Sequence, residues 1–352
     1  MKYYILALVQ SLAIVLVTTP LIRAFALKAG FIDKPSERRV HDHDIPLLGG
    51  ISVAIGFVVT TLCWLPHDGV VRAILAGGVA ILALGVLDDY KKSRGELSAK
   101  VKFLGQIVIS TLVAIFGVRI QFVTNPFGGM FYLGALSVPI TVLWLVSMTN
   151  VVNFMDGLDG LATGISAIAA ISLFVVASGK GQETSSVLAA ALAGATLGFL
   201  RYNFNPAKIF LGDAGAMFIG FTLAGVSVIG ALKGPATLSL TIPFLVLGVP
   251  IFDTAFAIIR RWQQRVPVYV ADKGHIHHRL LDMGLSQRQA VLTLYSLTGL
   301  LGLSAVLSAK LGIESSYITI VIVAIVLSIF FREFGGYKSR RNQGSSRSQT
   351  LS

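Results

Sequence analysis

The chain has 352 residues, 54% of them hydrophobic and only 13% charged, with a formal net charge of +12 and a mean hydropathy of +0.77. A soluble domain carries about 25% charged residues, so this composition excludes an ordinary water-soluble fold and indicates a polytopic membrane protein. A single cysteine, Cys63, excludes an intrachain disulfide and a thiolate-rich metal site, and its place in an apolar run predicts a small buried hydrophobe.

Taken in order, the apolar stretches predict an all-α helical bundle of about eleven transmembrane helices, at 3–25, 46–65, 70–87, 101–118, 136–152, 161–178, 186–200, 214–232, 237–259, 291–309 and 315–331. The first is too long for a signal-peptide core and reads as a retained span. Pro243 and Pro250 should kink the ninth span rather than end it. Residues 1–335 read as one integral-membrane domain. Residues 336–352, within which Lys338 to Ser352 is rich in Ser, Arg, Gln and Gly, read as a disordered basic tail.

With alternate loops assigned to opposite sides, 23 of the 29 Lys and Arg residues fall on one side and six on the other. The positive-inside rule makes the richer side cytoplasmic, which puts the N-terminus outside and the C-terminus in the cytoplasm. The basic residues are divided among membrane-adjacent loops and no aromatic-basic module accompanies them. The net charge therefore points to anionic lipid and phosphate substrates rather than to nucleic acid.

The polar residues that stand out lie on that cytoplasmic side. Asp88-Asp89 closes the third apolar run, and adjacent helical residues point about 100° apart, so the two share one cavity only near a helix end or with different jobs. The stretch Asn153-Phe154-Met155-Asp156-Gly157-Leu158-Asp159-Gly160 sets two carboxylates three residues apart, on one face if a helix begins or continues there, although the glycines argue against a helix interior. Asp213 precedes the eighth span, where it could cap the helix or ligate a hard cation such as Mg²⁺. Asp253 falls within a span, near Pro250. Asp272-Lys273-Gly274-His275-Ile276-His277-His278-Arg279 is a dense donor set suited to a diphosphate and a sugar, and neither its spacing nor its cysteine content matches a zinc site. His41 and His43 in the first cytoplasmic loop could assist at the site mouth or simply be solvated.

Together, Asp88-Asp89-Tyr90, Ser98-Ala99-Lys100-Val101-Lys102, Asn153 through Gly160, Phe210 through Gly215 and His275 through His278 resemble the bacterial polyprenyl-phosphate N-acetylhexosamine-1-phosphate transferases over nearly the whole chain. Within that superfamily the histidine stretch is most similar to the branch that starts teichoic acid or O-antigen synthesis with GlcNAc-1-phosphate. The resemblance implies that undecaprenyl phosphate attacks UDP-GlcNAc, giving undecaprenyl-diphospho-GlcNAc and UMP, with Mg²⁺, or Mn²⁺ in its place, at the cytoplasmic face of the inner membrane. It further implies that Asp213 ligates the metal, that Asp88 deprotonates or orients the lipid phosphate, and that Asp89 supports the nucleotide or metal region. Asn153, Asp156 and Asp159 would line the nucleotide and metal cavity. Lys102, with Lys100 as the fallback, would contact phosphate, and His275, His277, His278 and Arg279 the diphosphate or sugar. Single and double displacement both stay open, as do monomer and homodimer. A transporter is the competing class, but its hallmark, a buried charge series across the bilayer, is missing from the sequence.

Overall fold

The computed structural model describes residues 2–33, 44–91, 98–124, 129–231, 241–265, 274–311, 321–323, 325–326 and 328. Twelve labelled helices run in chain order: α1 Lys2–Ala29, α2 Gly49–Trp64, α3 Gly69–Lys91, α4 Ala99–Ile115, α5 Ser137–Met155, α6 Leu161–Gly179, α7 Glu183–Asn203, α8 Gly212–Ala231, α9 Thr241–Val246, α10 Gly248–Gln263, α11 Ile276–Asp282 and α12 Gln287–Leu311. Two antiparallel pairs of short strands, β1 Ile32–Asp33 with β2 Ile45–Pro46 and β3 Phe122–Thr124 with β4 Met130–Tyr132, stand in the connections between helices.

Among the described residues seven helices are long and apolar enough to cross a membrane: α1, α3, α5 with the turn before it, α6, α7, α8 and α12. The expected segments 46–65 and 101–118 form the shorter helices α2 and α4, of 16 and 17 residues. The expected span 237–259 divides at Leu247 into α9 and α10. The physical reason is Pro250, which has no N–H to give the carbonyl of Val246, so the hydrogen-bond ladder lapses for one turn and resumes. Segment 315–331 lies largely outside the described residues, as do the tail, His41, His43, Asp272 and Lys273.

Helix α8 is the axis of the bundle, enclosed by α2, α3, α5 and α7. Small residues allow the approach: Gly220 of α8 lies against Met148 and Thr149 of α5, and Gly85 of α3 against Ala214 of α8. The core joins Phe57, Phe199, Phe218 and Phe221 with the aliphatic faces of the surrounding helices. Outward faces are just as apolar: Ile5, Leu6, Val9 and Val17 on α1, Phe103, Leu104 and Val108 on α4, and Leu300 and Leu303 on α12 are all exposed. An exposed apolar surface of this extent is suited to lipid rather than to water. Cys63 belongs to it and is exposed, which corrects the expectation of a buried thiol. An apolar run in a membrane bundle has a lipid side as well as a core side.

Candidate active site

The chemistry-bearing residues gather at one end of the bundle. Ser98 caps α4, its side chain accepting from the Val101 N–H, and this start places Lys102 and Gln106 on one helical face. The Lys102 ammonium donates to Asp88 Oδ2 at 2.6 Å and to Asp213 Oδ2 at 2.8 Å, so one cation ties the C-terminal end of α3 to the N-terminal ends of α4 and α8. Lys100 is exposed, leaving Lys102 as the lysine that enters the cluster. Asp88 and Asp89 are both buried, and they do different jobs. Asp89 accepts from the backbone N–H groups of Asp213 and Ala214, each at 3.1 Å. It therefore caps α8 from a neighbouring helix and leaves Asp213 free of that task. Gly212 has φ +74°, and a Cβ there would sit 2.6 Å from Asp89 Oδ2, so glycine is required for both conformation and space.

The two carboxylates at 156 and 159 are not on a helix. Helix α5 ends at Met155, Asp156 follows it in a non-helical conformation, and Gly160 with φ +78° opens α6. This corrects the expectation of a shared helical face: both aspartates stand in the turn between α5 and α6. Asp159 Oδ2 accepts from Asn205 Nδ2 at 3.1 Å and from the Ala207 N–H at 3.0 Å. Asn205 also donates to Gln287 at 2.7 Å, and the Tyr295 hydroxyl donates to the Gly160 carbonyl at 2.5 Å. Asp159 is thus a brace that joins this turn to the segment between α7 and α8 and, through it, to α12.

The histidines pack on the same turn. A Cβ on Gly157 would lie 2.5 Å from His277 Nε2, so the missing side chain is what admits the ring. His275 and His277 stack with 5.8 Å between centroids and 6° between planes, and His278 lies 4.3 Å from His277. Burial pushes the His277 imidazole down to about 3, reinforced by the neighbouring His278, so this ring is neutral at pH 7. Among the described residues its Nδ1 and the Asn153 Oδ1 are both buried with no hydrogen-bond partner. Arg279 lies on the same short helix, α11, as His277 and His278.

Sequence reasoning passed over Gln106 and Asn150, which join α4 to α5 through Asn150 Nδ2 and Gln106 Oε1 at 2.6 Å, one turn in from Lys102 and Asn153. Two amides inside apolar runs were the available signal. Tyr295 carried no comparable signal.

The carboxylates also meet the chemical demands of a hard cation. Asp88 and Asp213 offer oxygen ligands on one ammonium, a net negative set, and the Asp213 side chain is 20% exposed against 5% for Asp88. Among the described residues no group of three or more His, Cys, Asp or Glu is placed to hold a metal ion by itself. Mg²⁺ commonly takes one or two carboxylates and fills its remaining positions with water and substrate phosphate, so the set fits.

A membrane bundle with carboxylates, an ammonium and imidazoles collected at one end is the architecture of an enzyme working on phosphorylated compounds at a membrane surface. Residues 71–231 match the family described as Glycosyl transferase family 4. The chain is 41% identical over 327 residues, 92% of its length and 90% of the relative's, to the probable undecaprenyl-phosphate N-acetylglucosaminyl 1-phosphate transferase of Bacillus subtilis. It is 35% identical to the decaprenyl-phosphate N-acetylglucosaminephosphotransferase of Mycolicibacterium smegmatis, over 81% of this chain and 77% of that one. It is 28% identical to the undecaprenyl-phosphate alpha-N-acetylglucosaminyl 1-phosphate transferase of Escherichia coli K12, over 89% and 84%. The chain belongs to the polyprenyl-phosphate N-acetylhexosamine-1-phosphate transferases, and it is an enzyme of the transferase class.

Proposed function

We propose that this enzyme transfers GlcNAc-1-phosphate from UDP-GlcNAc to undecaprenyl phosphate, releasing UMP, as the first membrane step of teichoic acid or a related surface glycan. The observation that carries the reading is the three-helix cluster in which Lys102 holds Asp88 and Asp213. It lies at the same end of the bundle as the histidines packed on Gly157. The relatives' substrates and the lipid-facing side chains Phe103 and Leu104 beside Lys102 support a polyprenyl acceptor. The reading includes eleven crossings of a bacterial cytoplasmic membrane, N-terminus outside, C-terminus and site inside, supported by the 23 to six division of basic residues.

A phosphate and a diphosphate repel, so the site must neutralise charge before the reacting atoms can meet. The Lys102 ammonium would pass from its carboxylates to the incoming phosphate, and Asp88, so released, would orient the acceptor or take its proton. An acceptor oxygen then attacks the sugar-bearing phosphorus in line, and the bond from that phosphorus to the oxygen of UMP breaks. Asp213, the more exposed carboxylate, would hold Mg²⁺ or Mn²⁺, which supplies positive charge against the diphosphate when bound. Asn153 Oδ1 and His277 Nδ1, buried and unpartnered among the described residues, are suited to polar groups of the nucleotide sugar, while Asp156 and Arg279 border the same turn and loop. The reading is compatible with a monomer or a homodimer.

Purified enzyme with UDP-GlcNAc, undecaprenyl phosphate and Mg²⁺ should release UMP, and chelation should stop it. Translocation without turnover would instead establish a transporter. Asp213→Ala should nearly abolish turnover and weaken Mn²⁺ binding while the bundle stays folded. Wild-type metal affinity and rate in that variant would remove Asp213 from the metal site.

A further inference from the structure

Asp253 is a buried carboxylate that the reaction scheme above does not use. It stands on α10, 3% exposed, and both of its oxygens face the histidine segment. Oδ2 lies 2.8 Å from His275 Nδ1, and Oδ1 accepts the backbone N–H of Ile276 at 2.8 Å. A carboxylate only accepts here, so the proton between Asp253 and His275 belongs to Nδ1 of the imidazole. Gly274 lies against Arg260, seven residues and two helical turns from Asp253 on the same face of α10. The chain entering α11 is therefore clasped by one helix at two levels, and the His275 ring, so fixed, stacks on His277.

We propose that Asp253 is a positioning residue: it sets the tautomer and orientation of His275 and starts α11, so that the histidine array faces substrate in one arrangement. A carboxylate behind an imidazole commonly fixes which ring nitrogen faces outward. Here the same carboxylate also satisfies the first N–H of the following helix, so ring and backbone are aligned by one group. Asp253→Asn tests the division of labour, because the amide has a single acceptor oxygen for two donors. The Ile276 N–H cannot move its proton, whereas an imidazole can, so the oxygen should stay with Ile276 and the amide N–H should turn the ring into an acceptor at Nδ1.

The experiment is ¹⁵N-histidine NMR of full-length protein in bilayers, with His275 assigned by loss of its signal in His275→Ala, together with UMP-release rates. Wild-type His275 should be protonated at Nδ1, and Asp253→Asn should move the proton to Nε2 and lower turnover at least tenfold with little change in thermal unfolding. In a His275→Ala background the same substitution should change the rate less than threefold, since a residue acting through His275 has nothing left to act on. A wild-type ring protonated on Nε2 alone, an unchanged spectrum and rate in Asp253→Asn, or a full additive loss in the double variant would each overturn the proposal. The rate arm rests on the transferase reading and the spectral arm does not. A wild-type enzyme inert toward UDP-GlcNAc would end that reading while the spectra still decided the role of Asp253.

Discussion

Asp89 takes over for Asp213 the capping task that an aspartate at a helix start usually performs itself. Because Asp89 receives the N–H groups of Asp213 and Ala214 in the first turn of α8, the Asp213 carboxylate can turn to Lys102 and the open side of the site. Asp89→Asn keeps the volume but offers one acceptor oxygen to two donors, and losing a cap costs about 1 kcal/mol. The expected result is a melting temperature lower by no more than a few degrees and turnover reduced at least tenfold, with Mn²⁺ affinity weakened because Asp213 is no longer held in place. A variant with wild-type turnover and metal affinity would show that the cap does not position Asp213. His277 makes a pH claim of definite sign. Its imidazole is held near 3 in the fold, chiefly by burial, against about 6.5 in an unfolded chain. The unfolded chain therefore binds the extra proton first, and stability present above about pH 6.5 is lost as pH falls toward 3. One such group contributes a slope of at most about 1.4 kcal/mol per pH unit. Melting curves at stepped pH should show wild type losing stability over that window and His277→Gln losing less. Equal slopes would exclude His277 as the source.

At the scale of elements, the site is held by turns that lock into one another more than by any single helix. Gly157 admits the His277 ring, Asp159 grips Asn205 and Ala207, and Tyr295 of α12 closes on Gly160. Gly157→Ala should push the histidine segment off the turn, because the new Cβ would stand 2.5 Å from Nε2. The expected outcome is a loss of affinity for UDP-GlcNAc of about tenfold or more, read by calorimetry, with thermal unfolding little altered; unchanged affinity would separate the turn from nucleotide-sugar binding. Much of this was legible in the sequence. The adjacency of Asp88 and Asp89 limited them to a helix end or to different jobs, and the glycines flanking Asp156 and Asp159 argued against a helix interior. The brace role of Asp159 was not legible, since it depends on where the segment after α7 returns, and sequence spacing holds no record of that. Asp253 was hidden for a related reason: a carboxylate in an apolar run is a signal, but its partners lie 22 and 23 residues onward in the chain.

For the molecule as a whole, the direction of insertion decides whether the proposed chemistry can reach a cytoplasmic nucleotide sugar. The site end includes the starts of α2, α4 and α8, because Gly49 and Gly50 donate to the carbonyls of Phe210 and Leu211 while Lys102 meets Asp213. Helix α2 then runs from Gly49 to Trp64, so His67, just beyond its far end, stands at the opposite end of the bundle from Ala99. The bias of basic residues orients membrane proteins because loops rich in Lys and Arg are retained in the cytoplasm. The loop assignment expected from the sequence puts 23 such residues on the side proposed for the site and six on the other. In a Cys63→Ser background, His67→Cys and Ala99→Cys each supply one exposed thiol, at the far end and at the site end. An impermeant maleimide added to intact spheroplasts should label His67→Cys at once and Ala99→Cys only after permeabilisation. The reverse pattern would place the carboxylate cluster outside the cell, away from any cytoplasmic nucleotide, and the proposed donor would then fail on topology even if every site residue were correctly assigned.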